Sequence, residues 1–403
     1  MRRDYCWLNS RPGNPAFNGI DQRRFLFTQG HMKLAWQNLL HDRGRFLTTV
    51  LGVSFAAFLM VFQGSLLAGF LRAASRFIEA SDFDIWITAR GVQAFEFGAT
   101  LEARVQELAS GVPGVVETGR ACMAFAVYRK PNGKQQVVAL VGADPNLGKR
   151  FPIPEVAERP EDISPESVIY DESDRSVLET LSLPARVEIN GHRANIDHEI
   201  RGFGGFLGVP ALFTSYRNAA HDLGFPPNEG MYIVARVGKP YSVADVQQSL
   251  RQRLPEVDVL TREQFAHKSR MYWVIKTGAG SAILTAAVLG FLIGLVVVSQ
   301  TIFANTMENI EEYATLKALG ASRGFVARVV IMESLICGAG GTVLGLAAAI
   351  SAMRYARSLI PWIHTPSWLP VIVMVLSLLM CALASIASVR SSLAVDPGRV
   401  FRA

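Results

Sequence analysis

The sequence predicts an α-helical membrane protein with four transmembrane helices, plus an α+β extracytoplasmic domain inserted between helices 1 and 2. The first observation is the composition of the 403-residue chain, which is 50% hydrophobic and only 18% charged. Soluble domains carry about a quarter charged residues. The second observation is a set of four long uncharged runs. The third is the stretch 72–276, which holds 24 basic and 26 acidic side chains.

Each uncharged run is long enough to cross a bilayer. They contain 26 residues after Arg45, 31 after Lys276, 20 after Glu333 and 32 after Arg357. A helix needs about 20 apolar residues to span the hydrocarbon core, so four buried helices of a soluble protein are the weaker interpretation. The predicted segments are a flexible N-terminal lead at 1–31 (or a true start at Met32), an interfacial helix with transmembrane helix 1 at 32–71, the extracytoplasmic (periplasmic) domain at 72–276, transmembrane helix 2 at 277–307, a cytoplasmic helix and loop at 308–324, transmembrane helix 3 at 325–353, a short external loop at 354–368, transmembrane helix 4 at 369–390 and a tail at 391–403.

Basic residues in the short flanks predict the orientation. They precede the first span, recur between the second and third spans at Lys317, Arg323 and Arg328, and return in the tail. The loop between the third and fourth spans has only Arg354 and Arg357. Because basic flanks stay on the cytoplasmic side, both termini and the 308–324 loop are predicted to be cytoplasmic, with 72–276 and 354–368 outside.

The inserted segment carries its own strand and helix patterns. Alternating or β-rich runs at 83–87, 124–128, 136–141, 168–170 and 185–189 predict strands, and Asn132-Gly133 and Asn190-Gly191 predict tight turns. Apolar residues at helical spacing occur at 101–108 and 246–254, and each is followed by a Pro-containing break and an extended stretch. This repeated helix–strand unit predicts an α+β domain.

No catalytic, cofactor or metal signature is present in the sequence. There is no GxxxxGK[ST] loop, GxSxG motif or HExxH pair, and the four cysteines lack ligand spacing. The acidic cluster Asp171, Glu172 and Asp174 is interpreted as a solvated loop, and the glycine-rich run 202–208 as a flexible loop. The basic excess lies outside 72–276, which argues against a nucleic-acid partner. The sequence therefore predicts a non-catalytic chain with no cofactor and no metal.

The most informative stretch joins the second and third spans. Ile310, Tyr313, Leu316, Ala318 and Leu319 form an apolar side of a short amphipathic helix, and Gly320 suits its end. Such a helix fits a groove on a partner protein or rests at the lipid interface as a connector. The residues alone do not choose between the two.

The stretch Glu312-Tyr313-Ala314-Thr315-Leu316-Lys317-Ala318-Leu319-Gly320-Ala321 resembles the loop signature of FtsX/MacB-type ABC-transporter permeases. The order of parts also matches, with one span, a large outside domain and three further spans. Met271-Tyr272-Trp273 and Thr277-Gly278-Ala279-Gly280 make the chain most similar to DevC-type exporter permeases, and Val395-Asp396-Pro397 matches the family tail. Ala314 departs from the pattern by replacing the usual glycine.

The resemblance implies a homodimeric permease of the cell inner (plasma) membrane, driven by a separate ABC ATPase subunit. It implies export of a lipid-like, glycolipid or amphipathic substrate by mechanotransmission through a periplasmic adaptor (membrane fusion) protein and an outer-membrane duct. The ATPase-coupling residues it implies are Glu312, Tyr313, Ala314, Leu316, Lys317, Ala318, Gly320 and Ala321.

Within the spans, the sequence offers few functional candidates. Gly290 and Gly294 lie four residues apart and are possible helix-packing positions. Glu333, near the start of the third span, is either a functional carboxylate or one that snorkels to the interface. The other spans lack charged residues, which disfavours a proton- or ion-coupled transporter.

Two other functions stay open from sequence. One is an FtsX-like transmembrane signal transmitter that activates an extracytoplasmic hydrolase, for which the 72–276 domain is large. The other is a membrane-anchored sensor or enzyme, which needs convergent polar residues that the sequence does not reveal.

Overall fold

The computed structural model describes residues 43–144, 146, 166–179, 183–226, 229–308, 315, 322–357, 359–360 and 362–393. Four of its helices are long and apolar enough to cross a membrane, at Phe46–Ala73, Gly278–Glu308, Gly324–Ala356 and Trp368–Ile386. A mixed α and β domain lies between the first and second of them. The predicted fold class is therefore confirmed. The predicted lead at 1–31, the interfacial helix before residue 43 and most of the 308–324 and 391–403 segments fall outside the described residues.

The helices are labelled in chain order through the described residues. They are α1 (Arg43–Ala73), α2 (Arg76–Ala80), α3 (Ala103–Ser110), α4 (Arg175–Leu178), α5 (Tyr216–Leu223), α6 (Val243–Arg253), α7 (Arg262–Met271), α8 (Gly278–Glu308), α9 (Arg323–Ala356) and α10 (Trp368–Leu393). A π-helix at Tyr272–Lys276 separates α7 from α8, and short 3-10 helices lie at Phe95–Phe97 and Glu172–Asp174.

The strands of the domain form one sheet. They are β1 (Ile85–Ala89), β2 (Val115–Arg129), β3 (Gln135–Ala143), β4 (Ser167–Asp171), β5 (Ala185–Ile189), β6 (His192–Ile200), β7 (Ala211–Ser215), β8 (Tyr232–Val237) and β9 (Val257–Thr261). Their order is β3-β7-β4-β6-β5-β2-β8-β1-β9, and β3 also pairs with β2. The long strand β2 pairs with β3, β5 and β8, so strands β2 to β7 close into a ring and β8, β1 and β9 extend from it.

The larger apolar core of the described domain lies against the ring strands, where it buries Tyr128 and Phe213, and it also includes Trp86 of β1. The smaller lies under α3 and α6, where Val105, Val246 and other apolar residues at helical spacing pack against β1 and β8. The predicted helix–strand repeat is thus observed as β1-α3-β2 and β8-α6-β9.

The predicted turns are also observed. Gly133 has φ +83° between β2 and β3, and Asn190 and Gly191 have φ +50° and +85° between β5 and β6. These are left-handed conformations that Asn and Gly adopt at low cost.

The described residues fall into two compact units. One comprises Phe58–Leu292 and Leu346–Ile372, which includes the whole mixed α and β domain, and the remaining described residues form the other.

Candidate functional site

The first and second predicted spans enter the domain at one place, called here the junction and comprising residues 70–80 and 262–280. A two-residue break separates α1 from α2, and α7 leads through the π-helix to α8. The Ser269 hydroxyl donates to the Ala74 carbonyl at 2.6 Å, and the Arg270 guanidinium donates to Ser75 Oγ at 3.4 Å and to Glu79. The two entry segments are therefore bonded to each other.

The start of the second span has an irregular backbone. Tyr272–Lys276 is a π-helix, and Thr277 then adopts an extended conformation with φ −107° and ψ 146°. The Thr277 hydroxyl accepts from the Gly280 N–H at 3.1 Å and donates to the Trp273 carbonyl. A side chain at Gly280 would collide with that carbonyl, whereas one at Gly278 would meet nothing within 4 Å. This contact gives the physical reason for the second glycine of Thr277-Gly278-Ala279-Gly280.

Aromatic rings fill the space beside the junction. The Phe206 ring lies 5.0 Å from Trp273 and 5.3 Å from Phe70 between centroids. Trp362, from the loop between the third and fourth predicted spans, lies 6.2 Å from Phe70 between ring centroids. Such edge and tilted ring pairs each add about 0.5–1.5 kcal/mol beyond area burial, so the ends of both spans are held by the same ring cluster.

Arg76, the first residue of α2, binds the glycine-rich loop at 202–208. Its guanidinium donates to the carbonyls of Gly202 at 3.1 Å and Gly204 at 2.6 Å and stacks 5.4 Å from the Phe203 ring centroid. Burial lowers the pKa of Arg76 to about 10, against the opposing attraction of Asp171 and Asp174.

Asp171 and Asp174 hold the same loop from the other side. Asp174 accepts the N–H groups of Gly205 at 2.8 Å and Ala211 at 3.2 Å, and Asp171 accepts that of Phe203 at 2.6 Å. Their exposed fractions are 3% and 4%. Burial raises the pKa of Asp174 to about 6. The interpretation of this cluster as a solvated loop was therefore wrong for Asp171 and Asp174, because both carboxylates are buried and accept backbone N–H groups of the glycine-rich run.

An apolar pocket of about 120 Å³ opens beside this loop. Its walls include Phe77, Met123, Phe206 and Trp273, and its one acidic side chain among the lining residues is Glu96. The Trp273 indole N–H donates to Glu96 Oε2 at 2.9 Å. Burial raises the pKa of Glu96 to about 7, partly offset by that hydrogen bond.

The loop between the third and fourth predicted spans also contacts the end of the first span. Arg72 donates to the His364 ring at 3.0 Å, and Ser65 and Thr365 share a 2.9 Å hydrogen bond. An added Cβ at Gly69 would lie 2.5 Å from the Trp362 carbonyl oxygen and 2.7 Å from the backbone nitrogen of His364. Burial and the nearby Arg72 lower the pKa of His364, which keeps a ring nitrogen free to accept from Arg72.

The small residues within the spans differ in their surroundings. An added Cβ at Gly290 would lie 2.9 Å from Gln63, and Gly294 is buried. On α9, an added Cβ at Gly341 would lie 2.7 Å from both the Val50 carbonyl oxygen and the Val53 Cβ, while one at Gly340 would meet nothing within 4 Å. Close helix approach is thus also present at Gly341, and at Gly345 against Ser54.

Glu333 is 2% exposed. A snorkelling carboxylate reaches water, so this burial argues against the snorkelling interpretation. The predicted coupling residues Glu312, Tyr313, Ala314, Leu316, Lys317, Ala318, Gly320 and Ala321 lie outside the described residues.

Sequence reasoning missed Arg76 and Glu96 as members of this site. Both are single charged residues in short elements, and their partners lie 126 to 177 positions away in the chain. In the sequence, Trp273 was noted only as part of the Met271-Tyr272-Trp273 motif. Its position next to the start of a span was the available signal.

Comparison with family models matches two parts of the chain. The model described as MacB-like periplasmic core domain matches residues 46–253, and the one described as FtsX-like permease C-terminal matches residues 284–397. The first alone spans more than half of the sequence. Comparison with curated protein sequences gives no match.

Solved structures give two examples of similar domains. The periplasmic region of MacB from Actinobacillus actinomycetemcomitans is 11% identical, with 47% of this chain and 94% of that chain covered and a TM-score of 0.35. The extracellular domain of the noncanonic ABC-type transporter YknZ from Gram-positive bacteria is also 11% identical, with 44% and 98% covered and a TM-score of 0.31.

Four apolar helices with a large domain after the first define a multi-pass membrane protein of the permease class. The chain belongs to the FtsX/MacB-like permease family. It is accordingly a transmembrane component of an ABC system.

Proposed function

We propose that the chain is the permease subunit of an ATP-driven exporter that works by mechanotransmission. The observation that carries the proposal is the junction, where both entry segments are bonded to each other and contact the walls of one apolar pocket. Movement of either span is thereby transmitted to the pocket without a substrate path through the membrane.

The driving element in this proposal is the 308–324 segment. A separate ABC ATPase binds Glu312, Tyr313, Ala314, Leu316, Lys317, Ala318, Gly320 and Ala321. The helix that ends at Glu308 is continuous from Gly278, so it serves as a stiff lever of about 45 Å at 1.5 Å per residue. The catalytic residues for ATP hydrolysis belong to the ATPase chain.

The assembly in this proposal is a homodimer in the inner membrane with both termini cytoplasmic. Of the four apolar helices, Gly278–Glu308 is the least buried, with 17% of its apolar stretch buried against 33–39% for the other three. That leaves apolar surface for lipid and for a second copy. A periplasmic adaptor protein and an outer-membrane duct complete the export route.

The substrate in this proposal is lipid-like or amphipathic. The pocket favours this class because its walls are apolar and a single carboxyl, Glu96, offers a polar anchor. An FtsX-like transmitter has no need of such a pocket.

The decisive experiment is co-expression of the chain with its candidate ATPase, followed by reconstitution in lipid vesicles. We expect ATPase activity to depend on the full permease and to be lost in Glu312→Lys, because charge reversal disrupts the bound loop. Glu102→Lys, an exposed change in the extracytoplasmic domain, is the control. Unchanged ATPase binding and activity in Glu312→Lys would refute the coupling assignment. An ATPase that is stimulated by a hydrolase partner and by no lipid-like compound would favour the transmitter.

The orientation has its own test. Asn132 lies at the exposed tip of the β2–β3 hairpin, so a reporter inserted there leaves the sheet intact. We expect an extracytoplasmic signal, and a cytoplasmic one would reverse the proposed topology.

A further inference from the structure

Two histidines and an aspartate meet on the surface of the extracytoplasmic domain, far in sequence from the junction. His192 is the first residue of β6, and His221 and Asp222 lie at the end of α5. One ligand atom from each of the three lies within 4.8 Å of the others. The rings of His192 and His221 are 4.5 Å apart between centroids, and His221 Nδ1 lies 3.1 Å from Asp222 Oδ1.

We propose that His192, His221 and Asp222 bind a divalent transition metal of the Zn²⁺ type. Two imidazoles and one carboxylate are a ligand set that Zn²⁺ accepts, with a fourth position open to water or to another ligand. Imidazole ligands select against Mg²⁺ and Ca²⁺, which prefer oxygen. Both histidines are exposed, so a metal ion reaches them from solvent.

A separate observation shows that the two ligand-bearing elements are already held together. Asn190, in the turn just before His192, donates from its side chain to the Asp222 carbonyl at 3.1 Å. The same side chain accepts from the Val127 N–H at 2.8 Å, and the Asn190 N–H donates to the Val127 carbonyl at 2.9 Å. The turn is thus fixed both to β2 and to the end of α5.

These hydrogen bonds hold the ligand-bearing backbone in place before a metal binds, so less conformational entropy is lost on binding. A metal site needs its ligands positioned by a supporting set of hydrogen bonds, and here the backbone positions of His192 and Asp222 are linked through one residue. Asp222 is only 8% exposed on its side chain, whereas His221 is 69% exposed. The aspartate therefore supplies a fixed oxygen, and the two rings adjust around it. The bound metal would join the β5–β6 hairpin to α5.

The test uses the full-length protein in detergent, without an affinity tag and stripped of metal by a chelator. Zn²⁺ binding is measured by isothermal titration calorimetry and by metal analysis after gel filtration, and Co²⁺ is used as a spectroscopic probe of nitrogen and oxygen ligation. We expect one Zn²⁺ per chain and a rise in the unfolding temperature on its addition.

The variants His192→Ala and His221→Ala remove one ligand each, and we expect each to weaken Zn²⁺ binding by about tenfold or more. The matched control is His198→Ala, an exposed histidine on the same strand, which should bind as the parent does. Because the two ligand histidines are exposed, the metal-free unfolding temperatures should stay equal, which separates ligand loss from misfolding.

Wild-type protein that takes up no Zn²⁺ would overturn the proposal. So would equal affinity in His192→Ala, His221→Ala and His198→Ala, since binding would then lie elsewhere. These results do not depend on whether the chain is an exporter, because no transport or ATPase assay enters the experiment.

Discussion

The burial of Glu96 beside Trp273 makes stability depend on pH in a way that one substitution isolates. Glu96 lines the apolar pocket and accepts the indole N–H at 2.9 Å. Burial raises its pKa from 4.5 to about 7. The change we consider is Glu96→Gln, which keeps an oxygen to accept from Trp273 and removes the ionisation.

The sign follows from the direction of the shift. Because the pKa of Glu96 is higher in the folded state, its contribution to the free energy of unfolding is fully present below about pH 4.5 and is lost as the pH rises to about 7. One pKa unit corresponds to about 1.4 kcal/mol, so the shift from 4.5 to about 7 gives a loss of at most about 3.5 kcal/mol. Water reaches the half-buried carboxyl, which makes that figure an upper limit.

The assay is the thermal unfolding midpoint of the full-length protein in detergent, measured from pH 4.5 to 8. We expect the difference in midpoint between Glu96→Gln and the parent to increase through the pH 5–7 window by up to about 10 °C, at 2–4 °C per kcal/mol for a domain of this size. Asp174 also has a raised pKa, but it is present in both proteins and cancels in the difference.

Two further variants sharpen the result. Trp273→Phe removes the hydrogen-bond donor that lowers the pKa of Glu96. In this variant the pH range over which stability is lost should therefore move to higher pH. The exposed Glu102→Gln removes a carboxyl without touching the pocket and serves as the control. Parallel midpoint curves for the parent and Glu96→Gln over the whole range would refute the argument.

Three other substitutions have matched controls in the chain. Gly280→Ala should destabilise the protein by about 1–3 kcal/mol through overpacking against the Trp273 carbonyl, whereas Gly278→Ala should not, as measured by thermal unfolding. Gly341→Ala should destabilise by a similar amount because its Cβ would lie 2.7 Å from the Val50 oxygen, and Gly340→Ala, with open space around it, should be tolerated. Asp174→Ala should cost about 3 kcal/mol because the N–H groups of Gly205 and Ala211 lose their acceptor. Its control, Glu172→Ala, breaks only an exposed ion pair with Arg201 and should lower the free energy of unfolding by less than about 1 kcal/mol. Equal destabilisation by a variant and its control would contradict the packing or hydrogen-bond reason given for that variant.

The elements of the fold could be predicted because each is encoded locally. Uncharged runs of about 20 residues or more give the spans, alternation gives strands such as Ile85–Ala89, and Asn-Gly gives the turns at Asn132 and Asn190. The ring closure through β2 could not be predicted, because the pairing of β3 with β7 and of β4 with β6 depends on contacts that no local pattern specifies.

The site was less predictable for the same reason. The acidic residues Asp171 and Asp174 look solvated in the sequence, since a carboxylate is rarely buried without partners. Their partners are backbone N–H groups of a glycine-rich loop some 30 residues later. Because almost every residue has a backbone N–H group, the sequence does not show which ones bind a carboxylate. The histidine pair was hidden in the same way, since His192 and His221 belong to different elements.

The two routes from membrane to domain differ in a way that bears on mechanism. On the side of the first span, Arg76 donates hydrogen bonds to two carbonyls of the glycine-rich run 202–208. We therefore expect this run to move together with α2. At the second, the helical backbone is interrupted by a π-helix and an extended residue at Thr277, and such interruptions are where helices bend. A displacement of the helix that begins at Gly278 is therefore expected to bend the backbone at Thr277 and to reach the pocket in part, through Trp273. We therefore expect the loop side of the pocket to follow α2 and the Trp273 side to follow the second span, which would change the volume of the pocket as the proposed mechanotransmission requires.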